Sequence, residues 1–113
     1  MSNTVPDVSL SDETREQVVA KLNQLGWNAT HEYPGVVCVT SNEGDIAVHT
    51  GMHGWDYYTP AKLVDDRWEP IEDDGIPDPS PAAEFETDPG KIAAGWAQHL
   101  PAIITGLRDI VRA

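Results

Sequence analysis

The sequence predicts an α+β domain, a two-layer sandwich in which an antiparallel meander of four or five strands carries an N-terminal and a C-terminal helix on one face. Three observations predict it. Apolar residues recur at helical spacing near the start, switch to a period of two from residue 27 to residue 68, and return to helical spacing after residue 88. With both helices outside the run of strands, the economical way to bury two apolar stripes is to lay them side by side on the same face of the sheet.

The first helix is expected over about 11–25. Ser9 and Ser11 are both suitable N-caps, and Asp12, Glu13 and Glu16 lie in the first turn, where the helix dipole favours anions. Val18, Val19, Leu22 and Leu25 then share a face, and Gly26 supplies the left-handed stop. Residues 1–8 show no periodicity and are expected to form a flexible tail, which leaves 9–113 as a single domain. A chain of 113 residues buries roughly two thirds of its unfolded surface and needs no staple.

Alternation marks the strands. Trp27–Tyr33 precedes a Pro34-Gly35 turn; Val36, Cys38 and Thr40 alternate with Val37 and Val39; Ile46 and Val48 alternate with Ala47 and His49. Asn42-Glu43-Gly44 between the last two is a hairpin loop with glycine where a left-handed residue is needed. Trp55–Thr59 reads as the next strand, with Trp55 and Tyr57 on one face and Asp56 and Tyr58 on the other. Leu63–Val64 and Arg67–Trp68 extend the sheet across an Asp65-Asp66 turn. Residues 69–81, with four prolines and five carboxylates, are expected to form an acidic loop that contributes nothing to the core. Ala83 and Phe85 suggest a short last strand.

Thr87 or Asp88 caps the final helix, with Pro89 in its first turn. Ile92, Trp96, Leu100, Ile103, Leu107 and Ile110 keep one face across Pro101. A proline inside a helix removes a hydrogen bond and crowds the carbonyl four residues back, so two helical segments on one surface are expected.

Charge is concentrated. Residues 65–88 hold ten carboxylates against Arg67, three quarters of the net −12 of the whole chain. That balance excludes direct binding to nucleic acid or anionic lipid, which are held largely through Lys and Arg, and steers cationic partners instead. No run of 18 apolar residues predicts a membrane span, the N-terminus has neither the basic nor the apolar region of a signal peptide, and one cysteine forms no internal disulfide. A cytoplasmic protein is expected, with monomer and dimer both open.

No catalytic or nucleotide-binding motif is present. His49 and His53 stand four apart across Gly51, off any helix, so their spacing guarantees no zinc geometry. Cys38 lies mid-strand between valines in an acidic chain, the setting of an inert core thiol. Asp73-Asp74-Gly75 lacks the spacing of a calcium loop. No cofactor or metal is expected.

The run from Trp55 to Leu100, with its aromatic strand, Trp68, Ala83-Glu84-Phe85, the T-x-P-x-x-I helix start at 87–92 and Trp96-Ala-Gln-His-Leu100, resembles small uncharacterised domains encoded by actinobacteria and their phages. Three lysines and eleven alanines fit the same GC-rich coding style. The resemblance implies no activity.

The functional expectation is a small acidic, non-enzymatic interaction module that binds a basic surface of a host protein. Trp55, Tyr57 and Tyr58 would supply affinity, and Asp65, Asp66, Glu69, Glu72, Asp73 and Asp74 would supply steering. Two alternatives stay open. One is a DNA mimic, whose ordered carboxylates occupy a nucleic-acid-binding protein. The other is a small enzyme or ligand-binding module with a sheet pocket near His49, His53 and Trp68.

Overall fold

The computed structural model describes residues 11–33, 35–51, 55, 57–73, 75–77 and 88–112. The tail expected at 1–8 and the short strand expected at Ala83–Phe85 lie outside the described residues.

Helix α1 spans Asp12–Gln24. Ser11, in extended conformation, caps it: its hydroxyl accepts the Thr14 N–H at 3.2 Å. At the other end the Gly26 and Trp27 N–H groups donate to the Asn23 and Leu22 carbonyls, with Gly26 at φ +93°, so the helix closes in a Schellman turn that only glycine adopts without strain. Five strands follow: β1 Asn28–Tyr33, β2 Val36–Thr40, β3 Ile46–Thr50, β4 Tyr58–Val64 and β5 Arg67–Pro70. They form one antiparallel meander in sequence order. Helix α2, Pro89–Arg112, completes the chain and lies against α1. The α+β fold expected from periodicity is the fold observed.

The core lies between the helices and one face of the sheet. Val18 and Leu22 of α1, and Ile92, Trp96, Leu100, Ile103 and Leu107 of α2, meet Val37, Val39, Ile46 and Val48, all at most 3% exposed. The carboxylate of Asp88 accepts the Gly90 N–H at 2.9 Å, which settles the cap of α2. Arg15 is buried at the α1 entry; its Nε donates to the Gly51 carbonyl at 2.9 Å and its Nη1 to Asp12 at 3.2 Å. That arginine ties the first turn of α1 to the end of β3.

Two expectations are corrected. The helix is continuous through Pro101, a single element of 24 residues. Pro101 is exposed, so the bond lost at the Ala97 carbonyl is lost toward water, and apolar residues in phase on either side hold the helix to the sheet. The stretch after β5 also enters the core: Ile71, 7% exposed, donates its N–H to the Pro60 carbonyl at 3.0 Å, and Ile76 packs on the same cluster. Proline density marks irregular backbone there, but it says nothing about the two isoleucines between the prolines.

Both sheet edges are blunted against further strands. On β1, Asn23 Oδ1 accepts the Ala29 N–H at 2.8 Å while its Nδ2 donates to the Ala29 carbonyl at 3.0 Å, so one side-chain amide stands where a neighbouring strand would. On β5, the Ile71–Pro60 bond sets the alternation that turns the backbone of Trp68 and Pro70 outward, and Pro70 has no N–H to offer.

Two substitutions test this packing by thermal or urea unfolding. Pro101→Ala restores a helical hydrogen bond without touching the core and should stabilise the protein by about 1–3 kcal/mol. Gly51→Ala should destabilise it by about 2 kcal/mol or more, because a Cβ there would stand 2.9 Å from the Trp55 ring at φ +86°. A Pro101→Ala variant less stable than the parent would show that the proline is a required feature of α2.

Candidate interaction surface

With the helices on one face, the pleat turns alternate residues of every strand to the other. The register reads off as transverse rows. Asn28, Thr40, Ala47, Ala61 and Pro70 form one row across all five strands; Thr30, Cys38, His49 and Thr59 form the next; Leu63 pairs with Trp68 on the opposite flank of the first. None of these residues is an Asp, Glu, Lys or Arg, on a chain with 26 such residues. The centre is small, with Cys38, Ala47 and Ala61 packed together. The flank is large: Leu63 and Trp68 are each 42% exposed. Among the described residues, three of the five exposed large apolar side chains, Tyr57, Leu63 and Trp68, lie on or beside this face.

The β4–β5 hairpin sorts its charges by side. Lys62 pairs with Glu69 and Val64 with Arg67, so Lys62, Arg67 and Glu69 belong to the helix side of the sheet while Leu63, Trp68 and Pro70 belong to the open side. Its tip is Asp65-Asp66, with φ of +50° and +65°. Two left-handed residues in a two-residue loop match the twist of the strands, and aspartate tolerates that conformation better than most side chains. The expected Asp65-Asp66 turn is thus present, and it holds two carboxylates at the end of the apolar flank.

The aromatics expected to meet a partner divide differently from the alternation read in the sequence. The strand begins at Tyr58, not Trp55, so the pleat does not extend back over the tryptophan. Trp55 is buried at 1% against Gly51. Tyr58 is also buried, packing edge-on to Trp96 at 6.2 Å, with its hydroxyl donating to the Pro77 carbonyl. Both belong to the core, and Tyr57 alone of the three faces solvent. Leu63 was not singled out from the sequence; the signal was available, because a two-residue turn at 65–66 forces Leu63 opposite Trp68.

The expected steering carboxylates do not form one row. Asp65 and Asp66 sit at the hairpin tip, Glu69 on the helix side of β5, and Glu72 and Asp73 are exposed beyond it, Asp73 accepting the Gly75 N–H at 2.7 Å. Asp88 is used as a helix cap. Asp74, Asp78, Glu84 and Glu86 lie outside the described residues.

One carboxylate is fully committed to the fold. Asp45, in the β2–β3 loop, takes two hydrogen bonds from Arg108 of α2, at 2.8 and 2.7 Å, and a third from the Ser41 hydroxyl at 2.7 Å. Chiefly the Arg108 guanidinium holds this carboxyl far below the ordinary carboxylate range; burial opposes it, and the Ser41 hydroxyl adds a smaller lowering. Arg108 is in turn held more firmly protonated, chiefly by its bonds to Asp45.

A small recess of about 80 Å³ opens at the end of the sheet, lined among the described residues by Val36, His49, Thr50, Gly51, Tyr57 and Thr59. It holds one imidazole and no carboxylate, lysine or thiol, so its lining offers a binding recess and no acid–base pair. Trp68 stands on the opposite flank of the face from His49, with the small row between them, and His53 lies outside the described residues. Cys38 is buried in β2. Among the described residues no three His, Cys, Asp or Glu side chains converge on a point that could hold a metal ion, and no helix is long and apolar enough to cross a membrane.

The chain matches no protein-family model, no curated protein and no solved structure. The reading of this surface therefore stands on its geometry.

The Asp45–Arg108 clasp predicts a pH signature. A carboxyl held below its ordinary value of 3.8 contributes its full stabilisation above that pH and loses it progressively as the pH falls further. Asp45→Asn should cost roughly 1 kcal/mol near neutrality, the upper end for a partly exposed pair screened by water. The gap between the two proteins should stay level from about pH 7 to 5 and narrow below about pH 4. A gap unchanged on acidification, followed by urea denaturation, would assign the loss to something other than the ion pair.

Proposed function

We propose that this protein is a small acidic, non-enzymatic interaction module that binds a basic surface on another protein. The observation that carries the reading is the Leu63–Trp68 pair, exposed on the side of the hairpin opposite Lys62, Arg67 and Glu69. Isolated exposed apolar residues are ordinary, but a tryptophan and a leucine paired beside an uncharged row form the kind of anchor that carries binding energy. The carboxylates at Asp65, Asp66, Glu72 and Asp73 supply long-range attraction to a basic rim around that anchor. The distribution of the described carboxylates over a tip, the reverse side of β5 and a helix cap favours steering over mimicry of a phosphate row. The setting we propose is the cytoplasm, and the resemblance to small actinobacterial and phage domains makes a protein of the host cell the natural partner.

The test is kinetic. Against a partner captured from the source cell, Trp68→Ala should raise the dissociation rate tenfold or more while leaving the unfolding midpoint close to that of the parent, since the side chain is half exposed. Replacing Asp65, Asp66, Glu72 and Asp73 by their amides should instead slow association and flatten its dependence on salt. Unchanged rates in both variants across a salt series would refute the proposal.

A further inference from the structure

We infer that a recess between α2 and the β2–β3 loop is a binding site for a neutral monosaccharide. It is a different site from the Leu63–Trp68 pair and stands or falls independently of the binding reading above. Three observations converge on it.

The first is an anchored apolar platform. The recess encloses about 200 Å³, with Trp27, Pro101 and Ile104 as its apolar part. That is below the ~300–1,000 Å³ of sites for drug-sized ligands, so it holds one small ring rather than a chain. Trp27 is placed there by the end of α1: its N–H closes the Schellman turn on the Leu22 carbonyl, and its side chain packs, partly buried, against the core. The indole is thus fixed on one side and lines the recess with what the core leaves uncovered. An indole held in this way offers a rigid flat surface against which the C–H face of a sugar ring packs.

The second is Pro101. A proline inside a helix is destabilising, and this one is exposed and contributes nothing to the buried cluster. A residue that breaks a local rule without improving the packing is expected at a functional position. Pro101 has such a position at the recess, where its rigid ring adds a second apolar surface to that of the indole.

The third is the balance of polar groups. Asn42, Glu43, Thr105 and Arg108 also line the recess. Arg108 gives Nε and Nη2 to Asp45, at 2.8 and 2.7 Å, while its Nη1 has no partner among the described residues. A guanidinium clamped on one side is a pre-organised donor on the other. Asp45 neutralises it, and Glu43 stands 3.6 Å from the same group, so the three together carry one negative charge. That balance repels a phosphate or carboxylate, and the guanidinium opposes an organic cation. A neutral ligand fits instead, with hydroxyls that donate to Glu43 and accept from Arg108 and the Asn42 amide. A sugar joins such hydroxyls to an apolar ring face.

The experiment titrates the whole protein, isotope-labelled for nuclear magnetic resonance, with the methyl glycosides of glucose, galactose, mannose and N-acetylglucosamine. Glycerol, adenosine, tetramethylammonium and inorganic phosphate are the comparison probes. At least one glycoside should shift the Trp27 indole N–H and the amides of Asn42 and Thr105 saturably in the millimolar range, at least tenfold more tightly than any comparison probe. Trp27→Ala should abolish the shifts at Asn42 and Thr105. Asn42→Ala, at an exposed loop position, should weaken binding severalfold at an unchanged unfolding midpoint, which keeps the test decisive if the tryptophan variant fails to fold. Pro101→Ala should weaken binding severalfold while raising the unfolding midpoint, an opposition that a merely structural proline would not produce. Absence of saturable binding by every glycoside would overturn the inference. So would affinity no better than that of glycerol, a preference for adenosine, tetramethylammonium or phosphate, or unchanged affinity in both Asn42→Ala and Pro101→Ala. The kinetic test of Trp68 decides the interaction module separately.

Discussion

The two helices lie on one face of the five-stranded sheet, and the rest of the structure depends on which side chains the pleat sends to that face and which to the other. The two helices carry just enough apolar stripe to bury Val37, Val39, Ile46 and Val48. On the other face the centre is small and buried, as Cys38, Ala47 and Ala61 are, at 0–6% exposure. Its β5 flank is not buried: Leu63 and Trp68 stay half exposed although the same hairpin has three charged side chains on its reverse. Charge is plentiful elsewhere in the molecule, so its absence from these rows is the feature that sets the surface apart.

The polar interactions that hold the two layers in place are few and specific. Arg15 fastens the entry of α1 to Gly51, and Asp45 fastens the β2–β3 loop to Arg108 near the end of α2. Asn23 closes one edge of the sheet from the helix layer. Each draws on a residue that composition alone would count as surface charge or surface polarity. Two of the seven lysines and arginines, Arg15 and Arg108, are thereby committed to the fold.

Blunted sheet edges also limit the ways in which the protein can associate. Open edges would favour indiscriminate strand addition, and both are blunted.

The periodicities determined most of the fold. Changes between 3.6 and 2 place the helices and strands, Gly26 ends α1 as a Schellman turn requires, and the register of the β4–β5 hairpin follows from a two-residue turn at Asp65-Asp66. What failed were inferences carried past the end of an element. Alternation does not extend back to Trp55, where the backbone is not pleated, so that tryptophan is buried instead of sharing the exposed face of Tyr57, while Tyr57 and Tyr58 do face opposite ways. Proline density was taken to keep 69–81 out of the core, although single isoleucines can still point inward. Pro101 was expected to divide a helix that packing on either side keeps whole. The candidate surface was legible only in part, as acidic residues near exposed aromatics. Which tyrosine is outside and which carboxylate is neutralised by an arginine 63 residues away are decided by contacts between elements. Local sequence determines conformation through short-range sterics and hydrogen bonding, whereas exposure depends on which distant residues arrive to cover a side chain.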